Sequence, residues 1–427
     1  MERFDLPLLP AATVRAALRL TTERFAAELA SPTDRAPDWT DRAPDWNDFE
    51  WRTAIAVSVM HGISALLADR LRWAGPPHWQ AFLEEQAEQG KLRERKVRAL
   101  LTRLDEASRR ANLPLLAMKG SALLALGLYE PGQRPQSDVD LLARPGDFDA
   151  THQLVLKAGY AEGVTMWKHR DYLPLDALAV PAFGEHEANP IKIELHTAVH
   201  ERLPVREVAI TAQVFPADAQ PGLNAYPSLA ALMRHLLLHA AGNLCGCGIR
   251  LIQLHDIAAL AERLSQADWD EALTTASDGL PAWWAVPPLE LAQRLFPSHW
   301  PHERLARARA AALAACPARL RRAALHYPLD QVSMSRYSVP MLPGIEWSHG
   351  VIEALQCARL RLHPGRKAVA QSRRAAANVH AFASSPWVDQ SRWQKALRFL
   401  LGAPPRVTTM YSLRRAMAYE PAHANFA

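Results

Sequence analysis

The hexapeptide Ser137-Asp138-Val139-Asp140-Leu141-Leu142 places two carboxylates one residue apart in an otherwise apolar run. Alternate side chains of a β-strand point to the same face, so Asp138 and Asp140 project together while Val139 and Leu141 face the other way. Two carboxylates this close repel each other and lose hydration when the strand is buried. A divalent cation between them removes both costs, and Mg²⁺ prefers such oxygen ligands while keeping positions open for phosphate. The pattern predicts a metal site on one face of a buried strand.

The segment upstream has the composition of a strand that turns directly into a helix. Residues 113–118 form a short apolar run that suits a buried strand, and Lys119-Gly120-Ser121 ends it. We expect Gly120 to let the backbone turn tightly and approach a ligand closely. The hydroxyl of Ser121 is expected either to cap the helix over residues 122–128 or to contact a phosphate.

Two basic residues near these segments are candidates for contact with a triphosphate. Lys119 is a flexible point charge of the kind that contacts phosphate, and Arg134 lies in the Pro- and Gly-containing loop before Asp138. The alternative for Lys119 is an ordinary charge at a strand end, and the alternative for Arg134 is a solvated loop charge. The sequence leaves both alternatives open.

The order of these segments resembles the nucleotidyltransferase superfamily of the DNA polymerase β type. Within it, the chain is similar to a bacterial family of uncharacterised nucleotidyltransferases often found in biosynthetic gene clusters. The resemblance spans about residues 45–265 and rests on Lys119-Gly120, Arg134, Asp138-Val139-Asp140-Leu141-Leu142, Ala158-Gly159-Tyr160, Ile193-Glu194-Leu195-His196, His235-Leu236-Leu237-Leu238-His239 and Leu254-His255-Asp256. It implies a small catalytic sheet, called the palm, and transfer of a nucleoside monophosphate from an NTP with release of pyrophosphate.

The resemblance also implies a third carboxylate on a neighbouring strand, and Glu194 is the candidate. Polar and apolar residues alternate over residues 191–196, so Glu194 and His196 share one face. Glu194 would join Asp138 and Asp140 as a metal ligand, or would accept the proton of the acceptor. Two Mg²⁺ ions, with Mn²⁺ as the alternative, would then clamp the attacking and leaving oxygens. We expect His196 to support the ligands from outside, because imidazole suits softer metals than Mg²⁺.

A competing chemistry comes from histidines farther along the chain. His235 and His239 lie four residues apart on a predicted helix, and His255-Asp256 follows. This combination is similar to the His/His-Asp metal sites of some phosphohydrolases, and it predicts transition-metal dependence and survival of Asp138→Ala. The alternative is that these residues pack against the palm or shape the acceptor pocket, with His239 and Asp256 supporting the metal ligands indirectly.

The chain has 427 residues, of which 49% are hydrophobic, so it can bury a large core formed from several units. We divide it into an N-terminal helical region (1–110) with a Pro/Trp repeat linker at 33–46, a nucleotidyltransferase palm (111–225), a helical bundle (226–325) and a basic C-terminal helical region (326–427). The predicted fold class is α+β, with a small mixed β-sheet palm flanked by large helical regions.

Composition bears on compartment and partners. No run of about 18 uncharged apolar residues is present, so we expect no transmembrane segment, and the first residues lack the features of a signal peptide. Four cysteines without zinc-site spacing indicate reduced thiols in a bacterial-type cytoplasm. Residues 301–427 hold 19 Lys or Arg against 6 Asp or Glu. This excess could meet nucleic acid, an acidic partner or a membrane surface, but we favour a solvated Arg-rich face.

The predicted activity is Mg²⁺-dependent transfer of a nucleoside monophosphate from an NTP, with ATP among the donors, to an unidentified hydroxyl or phosphate acceptor in a biosynthetic pathway. The acceptor could be a small molecule, a sugar, a peptide, a protein or an RNA end, and nucleic acid is not favoured. The alternative from a different class is a palm that binds nucleotide without turnover and serves as a scaffold.

Overall fold

The computed structural model describes residues 9–31, 42–178, 180–273, 281–300, 302–377, 380–383, 390–400 and 402–420. The first part of the predicted Pro/Trp repeat, residues 33–41, lies outside the described residues. The strands are β1 (Pro114–Ala117), β2 (Asp138–Ala143), β3 (Tyr160–Thr165), β4 (His169–Pro174), β5 (Lys192–His196), β6 (His200–Leu203), β7 (Arg206–Ala209) and β8 (Gly222–Asn224).

Helices flank the strands on both sides along the chain. They are α1 (Ala11–Ala30), α2 (Asp48–His61), α3 (Ser64–Arg70), α4 (Pro77–Arg110), α5 (Gly120–Ala125), α6 (Phe148–Lys157), α7 (Thr211–Val214), α8 (Leu229–Cys245), α9 (Leu251–Ala261), α10 (Gln266–Ala272), α11 (Val286–Leu295), α12 (His302–Ala315), α13 (Ala318–His326), α14 (Leu329–Val332), α15 (Val351–Leu362), α16 (Arg366–Ala377), α17 (His380–Ala383), α18 (Arg392–Leu400) and α19 (Val407–Met417). The predicted α+β class, with a small mixed sheet between helical regions, is confirmed.

The six-stranded sheet has the order β3-β4-β5-β2-β1-β8, and β6 and β7 form a separate antiparallel pair. Within the larger sheet, β2 runs antiparallel to β1 and parallel to β5. The alternation of strand side chains divides the apolar residues between two clusters. Leu115 and Leu141 pack with α4 and α6, whereas Leu116 and Leu142 join the core of the helical regions. The sheet therefore separates two hydrophobic cores, and Asp138 and Asp140 lie on the same face as Leu142.

The helices before and after the sheet share one hydrophobic core. Phe25 of α1, Trp79 of α4, Leu237 of α8 and Leu413 of α19 are all buried in the same cluster. The helical regions at both ends of the chain thus pack together, and the four-part division along the sequence stays a prediction. Among the described helices, none is by itself long and apolar enough to cross a membrane. Helices α2 and α3, which are bent by 114° at their junction, are together long and apolar enough by length and composition alone.

A buried histidine joins the ends of several helices in this core. His61 is the last residue of α2 and is fully buried. Its Nδ1 accepts a hydrogen bond of 2.9 Å from the backbone N–H of Leu251, the first residue of α9. Its Nε2 must then donate, and it lies 3.0 Å from the hydroxyl of Ser335, which in turn lies 2.9 Å from the hydroxyl of Thr22 in α1. This junction holds α1, α2, α9 and the segment around Ser335 in one arrangement.

We expect acid to destabilise the protein partly through this histidine. Burial, followed by the charges of Arg250 and Arg406, lowers the pKa of His61 to about 3. The unfolded chain takes up this proton near pH 6.5, whereas the folded chain does not. Stability is therefore lost as the pH falls below about 6.5 toward 3, by up to about 1.4 kcal/mol per pH unit.

The substitution His61→Gln should reduce this loss, because the amide can make both hydrogen bonds without titrating. Thermal unfolding followed by circular dichroism at pH 7 and pH 5 measures the effect. The melting temperature should fall less in His61→Gln than in the wild type, and the control His363→Gln, at an exposed position, should match the wild type. An equal fall of the melting temperature in all three proteins would contradict the role of His61 in acid destabilisation.

Candidate active site

Strands β2 and β5 bring three carboxylates to one face of the sheet. In their parallel register, Asp138 pairs with Lys192 and Asp140 pairs with Glu194. Paired residues of neighbouring strands project from the same side, so Asp138, Asp140 and Glu194 share a face. On the opposite face, Val139 is fully buried between the sheet and its helices. The structure thus brings together the three residues that we predicted as metal ligands.

Asp140 is the most closely paired of the three carboxylates. Its Oδ1 accepts a hydrogen bond of 2.6 Å from Lys119 Nζ and lies 3.1 Å from His196 Nε2. Burial raises the pKa of Asp140, but the charges of Lys119 and His196 outweigh burial, and the pKa lies well below its usual range. Burial lowers the pKa of His196, and its hydrogen bonds to Asp140 and Glu194 raise it by more. Asp140 is therefore a buried carboxylate held between the ammonium group of Lys119 and the imidazole of His196.

Asp138 and Glu194 have different surroundings. Burial, followed by the charges of Asp140 and Glu194, raises the pKa of Asp138 to about 6. Burial also raises the pKa of Glu194, but the hydrogen bond from His196 and the charge of Lys192 outweigh it, and the pKa is lowered. Lys192 Nζ lies 2.9 Å from Glu194 Oε1. The repulsion between like charges therefore falls mainly on Asp138, the carboxylate whose side chain makes no hydrogen bond or ion pair among the described residues.

Strand β4 adds two polar side chains that the sequence analysis missed. His169 pairs with His196, and Asp171 pairs with Glu194, so both lie on the carboxylate face. His169 Nε2 lies 2.9 Å from Asp171 Oδ1, and His169 Nδ1 lies 3.6 Å from Glu194 Oε2. The same alternation that identified the Asp pair could have revealed His169 and Asp171, since these two polar residues are also separated by one residue in a strand.

The turn between β1 and α5 places its strained backbone at Lys119. Lys119 has a left-handed φ of +49°, a conformation that costs a residue with a side chain about 1 kcal/mol or more. Its N–H donates to the hydroxyl of Tyr226 at 3.2 Å. Gly120 is needed for a different reason, since a Cβ there would lie 2.7 Å from Arg134 Nη1 and 3.3 Å from Gln136 Oε1. The glycine allows protein side chains to approach, and Lys119 makes the turn.

The expectation that Ser121 caps the helix is wrong. Helix α5 begins at Gly120, its N-cap residue is Lys119, and no side chain caps it. Ser121 is thus already inside the helix, where it is 3% exposed. Its hydroxyl accepts a hydrogen bond of 2.9 Å from Gln136 Nε2, which also donates to the backbone carbonyl of Asp138 at 2.9 Å. Ser121 therefore fastens the start of α5 to the loop that leads into β2.

Arg134 and Asp256 form a buried bidentate ion pair. Arg134 Nε lies 2.9 Å from Asp256 Oδ1, and Nη2 lies 2.8 Å from Oδ2. The hydroxyl of Tyr129 donates to the same carboxylate at 2.8 Å and lies 2.8 Å from His255 Nδ1. The pair connects the loop before β2 to α9. Asp256 thus acts on the site by positioning Arg134 beside Gly120, rather than by direct contact with the carboxylates.

The histidines of the phosphohydrolase hypothesis contact separate partners. His235 Nδ1 lies 2.7 Å from the hydroxyl of Tyr226, and His239 Nε2 lies 3.2 Å from Asn243 Nδ2. His255 contacts the hydroxyl of Tyr129, and Asp256 contacts the Arg134 guanidinium. In the part of the chain that the structure describes, the three side chains whose ligand atoms lie within 4.8 Å of one another are those of His169, Glu194 and His196, which include none of these four residues. The geometry therefore does not gather the four phosphohydrolase candidates into one site.

A cleft of about 470 Å³, a volume that includes space open to solvent, lies beside Glu194. It is lined by residues of β4, β5, β6 and α8, and its polar lining includes Lys119, Lys168, His169, Glu194, His196, His200, Glu201, His235 and His239. The cleft is open to solvent and adjoins Glu194, so a substrate could approach Glu194 from this side.

The contact between Gly120 and Arg134 can be tested by Gly120→Ala. The added Cβ would displace the Arg134 guanidinium, and we expect a loss of about 1–3 kcal/mol in the free energy of unfolding. The matched control is Gly146→Ala, because a Cβ at Gly146 would meet no atom within 4 Å. Its free energy of unfolding should stay within about 0.5 kcal/mol of wild type. Urea unfolding measures both, and equal stability of the two variants would contradict the packing described here.

The comparison with protein families bears on the whole palm and the helices next to it. The family described as "Uncharacterised nucleotidyltransferase" matches residues 47–297, more than half of the chain. A search of curated proteins and a search of solved structures each found no match. The matched range runs from the residue before α2 to the residues after α11 and includes the three carboxylates, the Lys119-Gly120 turn and the Arg134–Asp256 pair. The predicted family and the predicted transferase class are confirmed, and the chain belongs to this family of uncharacterised nucleotidyltransferases.

Proposed function

We propose that this protein is a Mg²⁺-dependent enzyme that transfers a nucleoside monophosphate from an NTP to a hydroxyl or phosphate acceptor in a biosynthetic pathway. The observation that carries the proposal is the register of β2 and β5, which sets Asp138, Asp140 and Glu194 on one face. The Lys119-Gly120 turn adjoins that face through the contact between Lys119 and Asp140. Carboxylates beside a phosphate-binding turn are the parts that nucleotidyl transfer requires.

The donor set fits a hard divalent cation. Asp138 makes no side-chain hydrogen bond or ion pair among the described residues, and the other two carboxylates keep it under electrostatic stress. Its oxygens are therefore open to a cation that would relieve the repulsion. Asp138, Asp140 and Glu194 would hold Mg²⁺, or Mn²⁺ in its place. Metal bound there would supply charge neutralisation to the triphosphate and the leaving pyrophosphate.

The cationic side chains of the site suit a bound triphosphate. Lys119 Nζ contacts Asp140 in the structure, and a cation at the carboxylates would take over that role and free Lys119 for a phosphate oxygen. Arg134 is held by Asp256 with Nη1 close to Gly120, so its charge also lies beside the turn. We assign both residues, with Gly120 and Ser121 in the first turn of α5, to nucleotide binding.

Glu194 is better suited to ligation than to proton abstraction. Its neighbours His196 and Lys192 lower its pKa, so it is a weak base near neutral pH. The acceptor would enter the cleft beside Glu194, where histidines from β4, β5, β6 and α8 are available as hydrogen-bonding partners. The proposal includes ATP among the donors. It also includes a reducing, cytoplasmic compartment, because all four cysteines are free and buried.

Calorimetric titration with each of the four NTPs, with and without Mg²⁺, tests the proposal. We expect at least one NTP to bind in a Mg²⁺-dependent manner, and binding to weaken at least tenfold in Asp138→Asn and in Asp140→Asn. The control Asp149→Asn, at an exposed position of α6, should bind as the wild type does. Equal binding by the wild type and both site variants would overturn the proposal.

Turnover is tested separately by pyrophosphate release in the presence of a pool of candidate acceptors. Release that depends on Asp138 would support transfer. Mg²⁺-dependent binding without release, across sugars, peptides and small hydroxyl compounds, would instead favour a nucleotide-binding scaffold.

A further inference from the structure

A second group of metal-binding side chains lies next to the Asp pair. One ligand atom from each of His169, Glu194 and His196 lies within 4.8 Å of the other two. The two distances to Glu194 Oε2 are 3.6 Å from His169 Nδ1 and 3.8 Å from His196 Nε2. Ligand atoms around a four-coordinate Zn²⁺, with bonds of about 2.0–2.1 Å, lie about 3.3 Å apart. The spacing of these atoms is thus close to that of a metal site.

His169 has the surroundings of a metal ligand. Its Nε2 lies 2.9 Å from Asp171 Oδ1 without the alignment of a hydrogen bond, and its Nδ1 is buried without a hydrogen-bonding partner. Histidines that bind metals commonly direct the other ring nitrogen toward a carboxylate, which fixes the ring and its tautomer. The unpartnered Nδ1 faces Glu194. A cation at this point would give the buried nitrogen the partner that it lacks.

Glu194 has one oxygen available for the same cation. Lys192 Nζ occupies the side of Oε1 at 2.9 Å, whereas Oε2 faces the two imidazoles. His196 also lies 3.1 Å from Asp140 Oδ1, so this group adjoins the carboxylate pair without including Asp138. Two imidazoles and one carboxylate suit Zn²⁺ and related transition metals, whereas an all-oxygen site suits Mg²⁺. The face thus offers two neighbouring sites of different chemistry.

We propose that His169, Glu194 and His196 bind a transition-metal ion such as Zn²⁺, so that Glu194 is shared between this ion and the Mg²⁺ held with Asp138 and Asp140. His196 is then a metal ligand rather than the supporting residue that the sequence predicted. The inference deepens the proposed function, because it places a second metal ion in the cleft where the acceptor would bind. It rests on that function only for its catalytic meaning, since binding of the metal alone can be measured without nucleotide.

The test is calorimetric titration of metal-free protein, carrying no polyhistidine tag, with Zn²⁺ in the absence of nucleotide and Mg²⁺. The wild type should bind one equivalent, and binding should weaken at least tenfold in His169→Gln and in His196→Gln. The matched control is His200→Gln, because His200 lines the same cleft but stacks on Trp167 outside the group. His200→Gln and Asp138→Asn should both retain the site.

A spectroscopic measurement on the wild type guards against variants that fail to fold. Co²⁺ held by two imidazoles in a four- or five-coordinate site absorbs visible light more strongly than octahedral Co²⁺ bound by oxygen alone. We expect the stronger spectrum, and we expect excess Mg²⁺ to leave it unchanged. No stoichiometric binding by the wild type, or equal binding by His169→Gln and His200→Gln, would overturn the proposal. Because nucleotide is absent, this failure is distinguishable from a failure of Mg²⁺-dependent NTP binding.

Discussion

Three carboxylates on one face of a sheet repel one another, and the neighbouring residues are arranged to counter that repulsion. Asp140 lies between Lys119 and His196, and Glu194 lies between Lys192 and the imidazoles of β4 and β5. Buried charges are tolerated when they are paired and hydrogen-bonded. The negative charge of Asp138 is the least neutralised by its neighbours, and a bound cation would neutralise it.

The same requirement connects the active site to the helical core. Lys119 adopts a left-handed backbone to bring its ammonium group to Asp140, and Gly120 leaves room for Arg134. Arg134 is in turn fixed by Asp256 on α9, whose first residue is held by the buried His61. Contacts thus run from the carboxylates to the core shared by α1, α4, α8 and α19. The large helical regions therefore help to hold the site in place, which explains why a small sheet is surrounded by so many helices.

Local patterns in the sequence predicted the centre of the site. Alternation within β2 and β5 depends on each strand alone, so the common faces of Asp138 and Asp140, and of Glu194 and His196, could be inferred from residue spacing. The pairing of those two strands came from the family resemblance. The spacing of His169 and Asp171 indicates that they share one face of a strand, but their position beside Glu194 depends on the order of strands in the sheet, which spacing along the chain does not encode.

The details that the sequence did not predict were those that depend on distant partners. Arg134 is paired with a residue 122 positions away, so its commitment to Asp256 has no local pattern. Ser121 was expected at the helix boundary, but the helix begins one residue earlier because Lys119 makes the turn. The small size of Gly120 was anticipated as room for a ligand, and the structure fills that room with Arg134 and Gln136. Each difference arises from tertiary contacts between residues that are distant in the sequence.

The central claim is that β2 and β5 form a metal- and nucleotide-binding face. A crystal structure of the protein with Mn²⁺ and a non-hydrolysable NTP analogue, with anomalous diffraction to locate the metal, tests it most directly. The claim predicts a Mn²⁺ peak about 2.0–2.3 Å from oxygens of Asp138 and Asp140, with the triphosphate beside the Lys119-Gly120 turn. A nucleotide bound away from this face, with no anomalous peak at either aspartate, would contradict it.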